Sequence, residues 1–280
     1  MRRVTFVLNR HKPEAESLTR ELRELATAEG AECDLHDTYP LPPEVLRESG
    51  LCVVVGGDGT LLGVVEAAST WNVPVLGVNL GRLGFMASFS PEQVKAALPG
   101  FLHGEFASRE LAVLAACDVD GNKVHALNDV VIKARSSRLV RLEVHCEDEH
   151  MNTYHADGVI FSTPTGSTAY NLSAGGPIVH PAARVLAVTP INPHTLSNRS
   201  IVLDNSHELI VHLLGDPADV QVSIDGREVF GNTPAFPVHL SVAGDRRFHL
   251  VQPEGYSHYY VLRNKLRWTG DAVFRGREGE

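Results

Sequence analysis

Basic excess is missing from this 280-residue chain: 25 Lys and Arg stand against 34 Asp and Glu, a formal net charge of −9. Without surplus cations to neutralise a phosphate backbone or anionic headgroups, neither nucleic acid nor a membrane surface is expected as a partner. Long apolar runs are missing too. The first, Val4-Thr5-Phe6-Val7-Leu8, soon meets Asn9 and Arg10, too short for a signal peptide or a bilayer span, and reads as a strand of a cytoplasmic protein. Cysteine is scarce: Cys33, Cys52, Cys117 and Cys146 are widely spaced with no C-x-x-C pair, which favours buried free thiols over disulfides or a zinc site. None of the 14 histidines belongs to an H-E-x-x-H or Cys–His ligand set, so no structural metal site is expected. Neither G-x-x-x-x-G-K-[ST] nor G-x-G-x-x-G occurs, which disfavours a P-loop NTPase and a Rossmann dehydrogenase.

What is present is an ordinary globular composition, 43% hydrophobic and 21% charged, long enough for two domains. Residues 1–105 alternate short apolar runs with helical ones, the pattern of an α/β domain with a parallel sheet. A strand over 4–8 precedes a helix over 12–29, whose Leu18, Leu22, Leu25 and Ala26 share a face and whose end is marked by Gly30. Residues 51–55 are apolar without alternation, as in a central parallel strand. A helix carrying Leu61, Leu62, Val64 and Val65 follows, then a buried strand over 75–78. Ser90-Pro91-Glu92 reads as a capped helix start. From 106 to 263 the runs are strand-like, at 111–117, 124–132, 139–146, 207–214, 220–224 and 238–242, with hairpin signals at Asp120-Gly121 and Asp225-Gly226. An all-β, sandwich-like C-terminal domain is the expected form. Glu143, Glu147, Asp148 and Glu149 read as an exposed strand end and turn. In the segment 264–280 the charged, glycine-rich end is expected to fray, whereas Tyr256, Tyr259, Tyr260, Leu262 and Trp268 are expected to dock on the body or on another subunit.

The sharpest local feature is Gly56-Gly57-Asp58-Gly59-Thr60, at the C-terminal end of the buried strand over 51–55 and leading into a helix. Ligands of open α/β sheets bind at that edge, and glycine N–H groups with a helix N-terminus attract phosphate oxygens. Asp58 would repel phosphates unless it served a divalent metal or took a proton from an attacking hydroxyl. Either role points to phosphoryl transfer. With no loop lysine, such a transfer would depend on Mg²⁺ or a similar cation. The plainer alternative is a glycine turn whose aspartate caps the next helix.

A second feature is the run from Asp157-Gly158 through Ser162-Thr163-Pro164-Thr165-Gly166-Ser167-Thr168-Ala169-Tyr170 to Val179-His180-Pro181. Its hydroxyls and glycine in one turn suit hydrogen bonds to a sugar or amide, and Tyr170 can stack on a base. A capped helix start uses the same residue types. With Gly56 to Thr60, Gly81 to Phe85, Asn128-Asp129 and Pro193 to Arg199, in the same order and at similar spacing, the chain resembles the bacterial NAD kinases over about residues 3 to 268. That resemblance implies an α/β domain joined to a β-rich domain, with the dinucleotide bound between them and across a homotetramer. It also implies transfer of a phosphoryl group from ATP or polyphosphate to the 2′-hydroxyl of the adenosine ribose of NAD.

By the same resemblance, Asp58 is the base or orienting group, with Gly57, Gly59 and Thr60 near the donor phosphates. Phe85, Asn128, Thr165, Thr168 and Tyr170 take the adenine and ribose, Asp157 and Ala169 the nicotinamide side, and Ser173 assists nearby. Two positions depart from the family: Asp129 stands where glutamate is usual, one methylene shorter, and Ser200 where proline is usual. The alternatives are a lipid or sugar kinase sharing the glycine loop, and a silent NAD(P)-sensing module.

Overall fold

The structure is a computed structural model in which residues 3–81 and 83–268 are described. The fraying expected at the very end concerns residues 269–280 and lies outside them.

The first half contains β1 (Arg3–Leu8), α1 (Pro13–Ala28), β2 (Glu32–His36), β3 (Leu51–Val55), α2 (Asp58–Leu62), α3 (Val65–Trp71), β4 (Val75–Val78) and α4 (Pro91–Leu102). The strands pair in parallel in the order β2-β1-β3-β4. β3 is buried along its whole length because α1 and α4 cover one face of the sheet and α3 the other. Pro13 starts α1 where a backbone N–H has no partner to lose, and Glu14 and Glu16 favour its positive end. Leu18, Leu22 and Ala26 form its buried stripe at four-residue spacing; Leu25 falls at the margin and is 42% exposed, against the expectation. α4 opens with a complete capping box, Ser90 with Gln93. The single helix expected after the glycine loop is two short ones, parted at Gly63 and Val64.

The second half continues with β5 (Ser108–Cys117), β6 (Lys123–Ala126), β7 (Asp129–Ala134), β8 (Val140–Cys146), β9 (Glu149–Ala156), β10 (Gly158–Ser162) and α5 (Tyr170–Ser173). After these come β11 (Val185–Ile191), β12 (Ile201–Asp204), β13 (Leu209–Leu213), β14 (Val220–Ile224), β15 (Arg227–Val229), β16 (Val238–Val251) and α6 (His258–Leu266). The antiparallel sheet β12-β11-β10-β7-β14-β15 packs on the antiparallel part of a ten-stranded sheet. Val130, Ile132, Leu142, Tyr154, Phe161 and Leu240 lie in the layer between them, which is the expected sandwich. Both hairpin signals hold: Gly121, Asp225 and Gly226 have φ of 83°, 46° and 79°.

Two strand assignments change. The run over 124–132 is two strands, broken at Leu127 and Asn128, whose N–H groups go to a side chain instead of a ladder. β16 runs past residue 242 because Gly244 to Arg246 form an irregularity within the strand, not its end. Its first part pairs with β13 and β5, and Leu250 then pairs in parallel with Val75 of β4. The parallel and antiparallel halves therefore share one continuous sheet.

All four cysteines are free thiols, but only Cys52 is buried; Cys33, Cys117 and Cys146 sit where one strand face or end meets solvent. α6 docks through His258, Val261 and Leu262, whereas Tyr259, Tyr260 and Trp268 stay more than half exposed. No described helix is long and apolar enough to cross a membrane.

Candidate functional site

β1 and β3 end side by side, and the Asn9 N–H bonds to the Val55 carbonyl, so two connections leave the same sheet edge together. One is the glycine loop. The N–H groups of Gly57, Asp58 and Gly59 have no acceptor among the described residues, the condition for binding an anion there. α2 is barely more than one turn, so its dipole adds little. The other connection supplies a cation: Lys12 Nζ lies 3.9 Å from where a Cβ on Gly57 would be, and Lys12 makes no ion pair among the described residues. A cavity of about 480 Å³ opens beside them, lined by Asn9, Arg10, Thr38, Tyr39, Gly59 and Thr60. The Arg227 guanidinium, from β15 of the sandwich, stands 5.9 Å over the Tyr39 ring across the crevice.

Asp58 does not cap its own helix. Its Oδ2 accepts from the Phe85 N–H at 2.9 Å, and its Oδ1 from Met86 and Ala87 at 3.0 and 2.9 Å. Gly84 is glycine because a Cβ there would collide with this carboxylate. The aspartate thus holds the 84–87 turn in place, and Oδ2, with one N–H bond, keeps acceptor capacity that Oδ1 has spent.

The run after β10 divides into residues that build the turn and residues that are left over. Ser167 Oγ bonds the Pro164 carbonyl at 2.7 Å and accepts from Val179 N–H at 3.0 Å. Asn171 bonds the Ser167 and Pro177 carbonyls and accepts from Thr189. Gly166 presses on the Asn128 carbonyl, with which any Cβ would overlap. Thr165 and Thr168 do less for the turn, with only a 3.4 Å bond from the Thr168 hydroxyl to the Thr165 carbonyl, and both line a small cavity with Phe85, Met86, Arg109 and Tyr256. At about 20 Å³ it admits no more than a water, so a nucleoside entering there must part the lining side chains. Asp157 and Tyr170 lie elsewhere, on a cavity of about 360 Å³ with Lys133 and Asn192, whose Nδ2 donates to Asp157 at 2.9 Å. Ala169 joins the two places in sequence, and Ser173 is exposed at the end of α5.

Asn128 and Asp129 are fixed by a residue that the sequence showed only as a turn signal. Asp225 accepts from the N–H groups of Leu127, Asn128 and Asp129 at 2.9, 2.7 and 3.3 Å. Burial pushes its carboxyl up against the pull of those three donors and of Arg227. Burial, with Asp225 beside it, also pushes Asp129 up to about 7 from an ordinary 3.8. The Asp129 carboxyl has no hydrogen-bond partner among the described residues, and the residue is 4% exposed. A carboxyl raised on folding favours the fold fully below about pH 4 and loses that contribution as pH rises through 7. Asp129→Asn is therefore expected to gain stability relative to the parent between pH 4 and 8, by at most about 4 kcal/mol. Urea unfolding across that range checks it, and a pH-independent difference would refute the shift.

Lys12 could have been found from its place four residues beyond the end of a parallel strand, since that edge collects ligand groups. Asp225 and Asn192 gave no such signal, because their partners are about a hundred and 35 residues away in sequence.

A glycine loop whose N–H groups lack acceptors among the described residues, with a lysine nearby and a hydroxyl-bearing turn from a second layer, has the make-up of a site for a phosphorylated, nucleotide-like ligand. The profile of the ATP-NAD kinase N-terminal domain matches residues 41–106, and that of the C-terminal domain residues 127–252. A NAD kinase of Symbiobacterium thermophilum is 39% identical over 284 residues, covering 96% of this chain and all of that relative. One from Gemmatimonas aurantiaca is 40% identical over 235 residues, 81% of this chain and 80% of its own. The fold matches yeast NADH kinase complexed with NADH (TM-score 0.87, 23% identity, 99% of this chain and 90% of that one). It also matches an Archaeoglobus fulgidus NAD kinase in complex with ATP (TM-score 0.77, 22% identity, 96% and 100%). The chain belongs to the NAD kinase family and is a kinase.

Proposed function

We propose that the chain moves the terminal phosphoryl group of ATP onto the 2′-hydroxyl of the adenosine ribose of NAD, with polyphosphate as the second candidate donor. The observation that carries this is the cluster of N–H groups at Gly57, Asp58 and Gly59 that have no acceptor among the described residues, beside Lys12, with Asp58 itself reaching over to the Phe85 turn. The apolar and aromatic wall of the adjoining cavity, with Val7, Leu8 and Tyr39, favours a donor with a base over a bare phosphate chain.

In this reading the segments 1–105 and 106–263 act as two domains with the substrates between them. Gly57, Gly59, Thr60 and Lys12 bind donor phosphates. Phe85, Asn128, Asp129, Thr165 and Thr168 hold the adenosine, and Asp157, Ala169, Tyr170 and Ser173 serve the rest of the dinucleotide. The 2′ oxygen attacks the terminal phosphorus as the bond to ADP breaks, and the hydroxyl proton passes to Asp58 Oδ2. When a Mg²⁺ is bound, Asp58 and the Thr60 hydroxyl would be the residues to hold it, since such an ion needs only one or two protein oxygens. When bound, that cation offsets charge on the donor. Tyr170 is 40% exposed and lines a different cavity from Phe85, which suits a ligand shared between copies in a homotetramer, in a cytosolic setting.

The test is NADP formation from NAD and Mg²⁺ with ATP or polyphosphate. NADP from ATP supports the donor assignment, and NADP from polyphosphate alone transfers it; no NADP with either, despite NAD binding, sinks the reading in favour of a sensing role. Lys12→Met is expected to raise the donor KM by roughly 10- to 100-fold, the worth of a charged hydrogen bond, with the NAD KM little changed. An unchanged donor KM would remove Lys12 from the site.

A further inference from the structure

The connection between β16 and α6 brings Tyr256 up against the turn that Asp58 holds. In that connection the Tyr256 N–H bonds the Pro253 carbonyl at 3.1 Å, and α6 then starts with Ser257 as its cap and buries His258, Val261 and Leu262. The Tyr256 ring therefore leaves a backbone that is fixed on both sides. The Arg109 guanidinium of β5 lies over one face of the ring, 5.8 Å from its centre. From this frame the Tyr256 hydroxyl donates to the Phe85 carbonyl at 3.3 Å.

The Phe85 N–H goes to Asp58 Oδ2 at 2.9 Å, and among the described residues no donor but Tyr256 reaches the Phe85 carbonyl. Residue 85 is thus held at its N–H by the glycine loop and at its carbonyl by a residue 171 positions further along. Burial pushes the Tyr256 phenol up from its ordinary value, against the pull of the Arg109 charge and with a further push from Asp58, so the hydroxyl keeps its proton and stays a donor. Packing of the ring would not do the same work. On one side Tyr256 lines the small cavity with Phe85 and Thr165, but on the other it faces a groove of about 770 Å³ along α4, with Phe89, Ala97 and Phe101. With open space behind the ring, a directional bond fixes Phe85 where close packing does not.

We propose that Tyr256 is a positioning residue of the acceptor site, setting where Phe85 stands by holding its carbonyl while Asp58 holds its N–H. The inference rests on the placement of the NAD adenosine against Phe85. Without the hydroxyl, the Phe85 carbonyl loses its protein partner, and the peptide is free to turn about the N–H bond that remains. The ring then meets the adenosine in only part of its positions, which weakens binding of the acceptor. The contact is already made in the unliganded chain, so no side chain has to move for it to act. The sequence showed this segment only as aromatics that dock; the hydroxyl gives one of them a part in substrate binding.

The experiment is NAD affinity by titration calorimetry on the full-length chain, for the parent, Tyr256→Phe, Phe85→Ala and the two changes together. Tyr256→Phe, which keeps the ring under Arg109, is expected to weaken NAD binding about two- to tenfold, the net worth of one neutral hydrogen bond. In the Phe85→Ala background the same change should add little, because the ring that it positions is gone. Tyr260→Phe, more than half exposed on α6, should bind as the parent does. Unchanged affinity in Tyr256→Phe overturns the proposal, whether or not the thermal midpoint falls, and so does an effect that persists in full without the Phe85 ring. If Phe85→Ala fails to fold, amide hydrogen exchange over residues 84–87 of Tyr256→Phe decides: faster exchange than in the parent upholds the assignment, and equal exchange overturns it. A parent that binds NAD but forms no NADP sinks the kinase reading and leaves this comparison standing, whereas a parent that binds no NAD overturns the inference as well.

Discussion

Asp58→Asn is expected to lower kcat by roughly 10²–10⁴, the usual worth of a general base, and to raise the KM for NAD as well. The second effect follows from the hydrogen bonds. Among the described residues, the three donors to this carboxylate are backbone N–H groups, at Phe85, Met86 and Ala87. An amide offers them one oxygen and one NH₂, so at least one N–H meets another donor, and the turn carrying Phe85 shifts. Gly84 leaves no slack, because its missing Cβ is already the space that the Asp58 oxygen fills. Losing hydrogen bonds to a charged acceptor costs about 1–3 kcal/mol, visible as a lower thermal midpoint. Steady-state kinetics beside calorimetry separate the two roles. A fall in kcat with midpoint and NAD KM unchanged would make Asp58 a base alone, and a lower midpoint with kcat intact would make it a positioning residue alone.

How far this could be read from the sequence depends on the range of each interaction. β3 and the loop after it were legible because burial on both faces leaves an unbroken apolar run, and Gly-Gly-Asp-Gly-Thr follows within the same ten residues. α1 was legible from its apolar stripe and α4 from its capped start at Ser90, both local signals. The failures are non-local. Nothing near Gly244 shows that β16 continues to Val251 and joins β4, since its partners come from residues 75 and 108–117. The break at Leu127 and Asn128 was invisible for the same reason: an apolar run reads as one strand unless a distant carboxylate takes its N–H groups. Within the long run after β10, the family pattern could not separate Ser167 and Asn171, which build the turn, from Thr165 and Thr168, which line a cavity beside Phe85.

Asp225→Ala is expected to be the most damaging change outside the glycine loop. It strips the acceptor from three buried N–H groups at once, those of Leu127, Asn128 and Asp129, and each buried donor left unpaired costs about 1–3 kcal/mol. A loss of about 3 kcal/mol or more is the result to look for in urea unfolding. Asn128 also presses its carbonyl on Gly166, so movement at 127–129 passes directly into the turn that presents Thr165 and Thr168. A displacement of about 1 Å there is enough for a roughly 10²-fold fall in kcat/KM. The same change removes the negative charge beside Asp129, which together with burial holds that carboxyl near 7. Any limb of the pH–rate profile that belongs to Asp129 should then move to lower pH in Asp225→Ala, whereas Asp225→Asn, which keeps an acceptor oxygen, should move the limb while sparing most of the stability. Equal destabilisation by Asn and Ala, with the profile unmoved, would show that Asp225 acts through the bulk of its side chain and not through its charge or its hydrogen bonds.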